Sequence, residues 1–151
     1  MTITDDQVAA LQAQLSGRFD EYQRLLNSMS KEEANLGYAT LVQAAFFNAV
    51  RRRFIRNGRP ASDIDVIEFV ADARGRTPNA AEIIVPDIAE LLINLTIGKA
   101  PLEANKDLDD NVSFRIKALL LTMLVTDENF SEAELEEFMA EARELGEESL
   151  K

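Results

Sequence analysis

The 151-residue chain contains no cysteine, no histidine and no tryptophan. Without cysteine, the chain has no disulfide, no thiolate nucleophile and no thiolate metal ligand. Without histidine, it has no catalytic triad built on imidazole and no zinc or di-iron site that needs imidazole ligands. Composition alone therefore excludes most of the familiar classes of enzyme.

Glycine and proline are scarce, with six and four residues respectively, and this scarcity favours helix along the whole chain. The longest apolar run, residues 118–121, is far shorter than the roughly 20 residues of a membrane-spanning helix. The first residues include Asp5 and Asp6 and show neither the basic region nor the apolar core of a signal peptide. We therefore expect a cytoplasmic protein that does not enter a membrane.

Negative charge is concentrated at one end of the sequence. The net charge is −11 at pH 7, and residues 127–151 alone carry a net charge of −8. Residues 51–76, in contrast, contain seven arginines against four acidic residues, a net charge of +3. A protein of this overall charge repels nucleic acid and anionic membranes on average, while a local basic patch stays compatible with it.

Apolar residues at three- and four-residue spacing predict two long helices at the N-terminus. The first covers about 4–29, with Thr4 as its N-cap. Ser30 and Glu33 match a capping box, so a second helix is expected to begin at once and to continue to about Asn57. Because the connection is so short, we expect the two helices to pack as an antiparallel hairpin.

Shorter helices are predicted in the middle of the chain. Ser62 or Asp63 is expected to cap a helix that continues to Ala73. Another helix is expected over 86–98, because it begins with a proline and ends at a glycine. The spacing of the apolar residues in the first of these helices predicts four inward positions: Ile64, Ile67, Val70 and Ala71.

Two helices are predicted at the end of the chain. A helix is predicted over 112–125, and its residues 118–125 are apolar nearly all round, which is typical of a helix that is buried on most sides. Ser131 and Glu134 match a second capping box, which predicts the start of the final helix. These segments together predict an all-α fold: a single-domain bundle of about six to seven helices over 1–151, with an N-terminal antiparallel hairpin of two long helices and a buried helix near 112–125.

Five arginines surround the end of the second predicted helix: Arg51, Arg52, Arg53, Arg56 and Arg59. Cations at a helix C-terminus offset the helix dipole, and these can also pair with the acidic final helix, within the chain or across a dimer. The other interpretations are contact with an acidic protein surface and contact with phosphate, in nucleic acid or in a small ligand. The helix that follows begins with acidic residues, which argues against DNA. We expect at least two of the five to pair with acidic residues of this chain.

Two groups of acidic residues resemble parts of metal sites without completing one. Asp107, Asp109 and Asn111 match the first ligands of a calcium loop, but Val112 stands where the loop needs glycine. A row of glutamates on the final helix would need a matching acidic set on a facing helix to hold magnesium: Glu134, Glu137, Glu141 and Glu144. We therefore expect loop, cap and solvent-exposed roles for these residues, and neither a metal nor a cofactor.

No motif in the sequence identifies an activity: there is no glycine-rich phosphate loop, dinucleotide fingerprint or nucleophile elbow. The leading hypothesis is a non-enzymatic helical protein with an interaction or regulatory role, whose partner is another protein or a second copy of itself in a homodimer. The alternatives are a small-ligand binder with a pocket between helices and a magnesium-dependent enzyme built on carboxylates. Nucleic acid and membranes are not expected as partners, and the arginine cluster is the candidate contact for a partner or an anion.

Overall fold

A computed structural model describes residues 2–151, and helices dominate this part of the chain. The sheet found within these residues has only two short strands. The predicted all-α helical bundle is therefore confirmed. In chain order, the elements are α1 (Asp5–Leu15), α2 (Phe19–Ser28), a π-helical segment (Glu33–Tyr38), α3 (Ala39–Phe54), β1 (Ile55–Arg56), β2 (Arg59–Pro60), α4 (Asp63–Arg74), α5 (Ala80–Ile83), α6 (Pro86–Thr96), a 3-10 segment (Leu102–Asp107), α7 (Asp110–Glu128) and α8 (Glu132–Ser149).

The described residues group into two compact units. Unit 1 comprises residues 2–48 and 125–151, and unit 2 comprises Ala49–Leu124. The boundaries between the units fall inside α3 and α7. The expectation that 1–151 forms a single domain stays a prediction.

The first predicted helix is two helices in the structure. α1 ends at Leu15, and two residues later Gly17 has a φ of +77°, which favours a residue without a Cβ atom. The backbone N–H of Arg18 then donates to the carbonyl of Ala13 over 2.8 Å, which completes a helix-ending motif. α2 packs back against α1. The prediction of one continuous helix over 4–29 is therefore wrong. The apolar spacing continues across the turn, so the spacing alone does not reveal where α1 ends.

Gln7 joins the start of α1 to the π-helical segment. Its side chain is 2 % exposed, and its Oε1 accepts from the N–H of Thr4 over 2.8 Å. Thr4 caps α1 as predicted, because its Oγ1 accepts from the N–H of Gln7 over 3.1 Å. The Nε2 of Gln7 donates to the backbone carbonyl of Glu33 over 3.0 Å. At Gly37 a Cβ atom would clash with the Nε2 of Gln7 and lie 2.9 Å from its Oε1, so a larger residue would displace the Gln7 side chain.

The π-helical segment changes the register of the second predicted helix. A π turn holds more residues than an α turn, so the apolar face rotates along the helix. Leu36, whose spacing matches the apolar stripe, is 44 % exposed, whereas Tyr38 is buried. Ser30 starts this helix as predicted: its Oγ accepts from the N–H of Glu33, and the Glu33 carboxylate accepts from the N–H of Ser30, both over 3.1 Å.

The hydroxyl of Tyr38 lies inside unit 1 and donates to the Oε1 of Gln14 over 3.0 Å. Burial raises the pKa of Tyr38 far above its usual value, and the neighbouring Tyr22 raises it further. The folded protein therefore holds Tyr38 neutral at pH values at which the unfolded chain ionises it.

We expect this burial to make the protein less stable in alkali. A tyrosine with a raised pKa contributes stability that is complete below the unfolded pKa of about 10 and is lost progressively as the pH rises from the unfolded pKa toward the folded pKa. The free energy of unfolding, measured by urea titration, should therefore fall between about pH 8 and about pH 11. The same series on Tyr38→Phe should show a smaller fall, and equal falls in the two proteins would contradict this account.

The side of α4 that is buried differs from the predicted one. Of the four predicted inward residues, Val70 is buried, but Ile64 and Ile67 are 64 % and 48 % exposed, and Ala71 is also exposed. The segment carries two overlapping apolar stripes, and the buried one is Val66, Phe69, Val70 and Ala73. The rings of Phe69 and Phe54 meet edge to face with 5.4 Å between centroids, which favours the stripe that contains Phe69.

The helix predicted near 112–125 is buried, as expected. In α7, Ile116, Leu120, Leu121 and Leu124 are each at most 1 % exposed. Across residues 2–151, none of the helices combines the length and the apolar character that crossing a bilayer requires.

Candidate functional site

A β-hairpin replaces the predicted end of the second helix. α3 ends at Phe54, and Asn57 and Gly58 form the hairpin turn with φ values of +53° and +75°. Two successive residues with positive φ form a type I′ turn, for which Asn-Gly is a favoured sequence. The prediction of a helix through Asn57 is therefore wrong, and the Asn-Gly dipeptide is the signal that indicates the hairpin.

The hairpin holds two arginines side by side. β1 and β2 pair in an antiparallel register that places Arg56 directly opposite Arg59. Residues in this relation point to the same face, with Cβ atoms about 4.5–5.5 Å apart. Both side chains are exposed, and within residues 2–151 neither guanidinium group forms a hydrogen bond or an ion pair. Two like charges therefore face each other, which is unfavourable unless an anion comes between them.

Arg56 and Arg59 line a groove of about 690 Å³ between the hairpin and α4. Arg53, from the last turn of α3, adds a third guanidinium group to this wall. The buried rings of Phe54 and Phe69 form the floor, and the guanidinium of Arg53 lies 5.3 Å from the centroid of Phe69. A cation over an aromatic face is attracted to it, so this contact restrains Arg53 at the edge of the groove.

α4 provides the opposite wall with three carboxylates. Asp65, Glu68 and Asp72 line the groove at three- and four-residue spacing, so they lie along one face of α4. Asp72 is paired with Arg76, with 2.8 Å between Oδ2 and Nη2. The groove is therefore cationic along the hairpin and anionic along α4, and we name it the bipolar groove.

The segment between β2 and α4 is held in place from both sides. The N–H of Ala61 donates to the carbonyl of Phe54 over 2.7 Å, which ties the end of the hairpin to the end of α3. The ammonium group of Lys99 donates to the carbonyl of Ala61 over 2.9 Å and pairs with the carboxylate of Asp63. Ser62 caps α4 as predicted, accepting from the N–H of Asp65 over 3.2 Å. These contacts fix the distance between the two walls.

The structure brings three of the five predicted arginines together. The guanidinium of Arg51 instead donates to the carbonyl of Thr96 over 3.5 Å. Arg52 is exposed and does not line the groove, since it lies about 100° around α3 from Arg53. The pairing of at least two of these arginines with acidic residues of this chain, above all those of the final helix, stays a prediction. The three that line the bipolar groove are Arg53, Arg56 and Arg59.

Some acidic residues that match metal sites in the sequence act as helix caps. The Oδ1 of Asp109 accepts from the N–H of Val112 over 3.0 Å, next to the start of α7. Ser131 and Glu134 form the predicted capping box, with bonds of 3.1 Å and 2.9 Å. In the described part of the chain, no group of three or more carboxylates is arranged so that it could hold a metal ion.

No protein-family model, curated protein or solved structure matches this sequence. Function therefore has to be inferred from the residues of the bipolar groove and of the remaining surface.

Proposed function

We propose that this protein is a non-enzymatic interaction protein, and that its bipolar groove binds an extended segment of a partner protein in which acidic and basic residues alternate. The observation that supports the proposal is the cationic wall facing an anionic wall across one groove of about 690 Å³. A partner that carries charge of one sign would gain from one wall and be repelled by the other.

The hairpin explains why the partner should present a carboxylate. The register places Arg56 opposite Arg59, so two guanidinium groups share one face without an ion pair in the described chain. A carboxylate between them relieves their repulsion and accepts charge-assisted hydrogen bonds from both. Guanidinium groups suit this contact because their planar donors match the two carboxylate oxygens.

The geometry of an extended chain explains why acidic and basic residues should alternate in the partner segment. Successive side chains of a strand point to opposite sides, and every second side chain repeats at about 6.6 Å. Along α4, the rise from Asp65 to Glu68 is about 4.5 Å and the rise from Glu68 to Asp72 is about 6 Å. These spacings are close to the strand's repeat of about 6.6 Å, so alternate basic side chains of the partner can reach the three carboxylates. The acidic side chains between them then point to the hairpin, so one segment satisfies both walls.

The test is fluorescence anisotropy with a labelled octapeptide of four Glu-Lys repeats. We expect saturable, salt-sensitive binding to the intact protein. A peptide of the same composition in blocks, four Glu followed by four Lys, should bind more weakly because it cannot match both walls. The double variant Arg56→Gln and Arg59→Gln should weaken binding by about tenfold, equal to about 1.4 kcal/mol over two partly exposed ion pairs.

The matched control is Arg24→Gln, which removes an exposed arginine from α2, an element that does not line the groove. This variant should bind the alternating peptide as the unaltered protein does. Equal binding of the alternating and block peptides would contradict the proposal. So would tighter binding of a random DNA duplex than of the peptide, with loss of that binding in the double variant, because this result would indicate a phosphate site.

A small zwitterion is the second candidate ligand, favoured by the groove volume of about 690 Å³. Sites for small molecules typically occupy about 300–1,000 Å³. The dipeptide Glu-Lys, used as a competitor, separates the two candidates. Displacement of the octapeptide at equal molar concentration would favour a small ligand, whereas a requirement for a large excess would favour a segment of a partner protein.

A further inference from the structure

A second groove lies in unit 1, between α3 and α8. The amide of Asn48 donates to the carboxylate of Glu141 over 3.4 Å, and one and a half turns further along α8, Gly146 faces Ala44 and Leu41. A Cβ atom at Gly146 would lie 3.6 Å from the Cβ of Ala44 and 3.8 Å from the Cα of Leu41. The two helices therefore approach closely and run antiparallel, and a shallow groove forms along their line of contact.

This groove brings two exposed apolar side chains together in a concave place. Its volume is about 340 Å³, and its lining residues are Thr40, Gln43, Ala44, Phe47, Leu145 and Ser149. Phe47 is 40 % exposed and Leu145 is 38 % exposed, so the largest apolar side chains of the groove face solvent on opposite walls. Exposed apolar surface in a concave place is typical of a docking site for another protein.

The charges beside the groove have one sign. α8 carries eight glutamates and one arginine, and the residues of α3 that lie in unit 1, 39–48, carry no charge. At 100° per residue, Glu141 and Glu148 lie within about 60° of Leu145 around α8, next to the groove. Arg143 is engaged elsewhere, because it donates to Asp5 over 2.7 Å and to the carbonyl of Ile3 over 2.6 Å. The rim along α8 is therefore anionic.

We propose that the α3–α8 groove binds an amphipathic helix of a partner protein whose polar face is basic. A helix laid in a groove contributes apolar side chains at three- and four-residue spacing, which here would contact Phe47 and Leu145. Thr40 to Phe47 spans about 10 Å along α3, enough for about two turns of the partner helix. Lysines or arginines that flank its apolar face would meet Glu141 and Glu148. This proposal concerns a different surface from the bipolar groove and does not rest on it.

The charge of the rim also argues against the other occupants. An acidic helix would be repelled by α8, since like charges at an interface oppose association. A second copy of this chain that presented the same face would bring two acidic α8 helices together around a two-fold axis. A basic helix is the occupant that gains both from the apolar floor and from the rim.

The probe is a labelled 14-residue peptide with leucine at helical spacing and lysine at the remaining positions. We expect it to bind the intact protein and to become helical, as followed by anisotropy and circular dichroism. Phe47→Asp and Leu145→Asp should each weaken binding by at least tenfold, and thermal melting should show that both variants remain folded. The double variant Glu141→Gln and Glu148→Gln should weaken binding less and flatten its salt dependence.

Two controls distinguish the groove from general attraction to an acidic protein. Phe19→Asp changes an aromatic residue on α2 that is more exposed than Phe47 and lies outside the groove, and the double variant Glu132→Gln and Glu136→Gln removes two charges from the opposite side of α8. Both should bind the peptide as the unaltered protein does. Equal binding of a scrambled peptide of the same composition would overturn the proposal. A dimer of the protein that dissociates in Phe47→Asp would also overturn it, because a second copy would then occupy the groove.

Discussion

Leu120→Ala is expected to lower the free energy of unfolding by about 2–5 kcal/mol. Leu120 is 0 % exposed, in the stretch of α7 that the sequence shows to be apolar nearly all round. The alanine loses the transfer free energy of the removed carbons and leaves a cavity that close-packed neighbours fill only in part. Urea titration followed by circular dichroism measures the change, provided that the slope with denaturant stays constant.

Leu102→Ala is the matched control, because it deletes the same atoms from a side chain that is 82 % exposed. Its effect should stay within about 0.5 kcal/mol, as for most surface substitutions. A loss below 1 kcal/mol for Leu120→Ala would contradict the buried position of α7, as would similar losses for the two variants.

Helix starts are the part of this fold that the sequence predicts best. Thr4, Ser30, Ser62 and Ser131 all accept hydrogen bonds from the first turn of the helix that follows them, as their spacing indicates. A cap depends on residues within one turn of each other, so its signal is contained in four consecutive positions. The buried helix is predictable for a similar reason, since a stretch that is apolar nearly all round, here 118–125, must be surrounded by other parts of the protein.

Features that depend on distant residues are less predictable. The π-helical segment forms where Gln7, from another helix, donates to the carbonyl of Glu33. The buried face of α4 depends on the contact between Phe69 and Phe54, which lie on different helices. In both places the local spacing allows two registers, and a long-range contact selects one of them. The hairpin is a different case, because the local signal Asn57-Gly58 was present and competed with a plausible helix end.

In the candidate site, too, some features have a local sequence signal and others depend on distant residues. The arginine cluster is evident in the sequence, and it provides one wall of the bipolar groove: Arg53, Arg56 and Arg59. The opposite wall follows from the register of α4, which the sequence alone leaves open. The α3–α8 groove joins residues about 100 positions apart, such as Phe47 and Leu145, so no sequence window contains it.

Gly37→Ala is expected to lower the free energy of unfolding by about 1–3 kcal/mol, although alanine favours helix by about 1 kcal/mol over glycine elsewhere. The new Cβ atom would lie 2.9 Å from Oε1 and 3.0 Å from Cδ of Gln7. Gln7 cannot move away without losing its bonds to the N–H of Thr4 and the carbonyl of Glu33. Breaking them leaves the buried amide of Gln7 without partners, which costs about 1–3 kcal/mol. Urea titration at neutral pH measures the loss.

A double-mutant cycle tests whether Gln7 is the cause. Gln7→Ala alone should destabilise the protein, since it removes both bonds and leaves a cavity, but it also removes the atoms that oppose a Cβ at position 37. In that background Gly37→Ala should be neutral or stabilising, so the two substitutions should couple by more than about 1 kcal/mol.

Gly75→Ala provides the control, because a Cβ there meets its nearest atom at 3.6 Å and its backbone is already in the right-handed helical region. It should stabilise the protein by up to about 1 kcal/mol. Additive effects of Gln7→Ala and Gly37→Ala would show that the destabilisation in Gly37→Ala does not come from the Gln7 side chain.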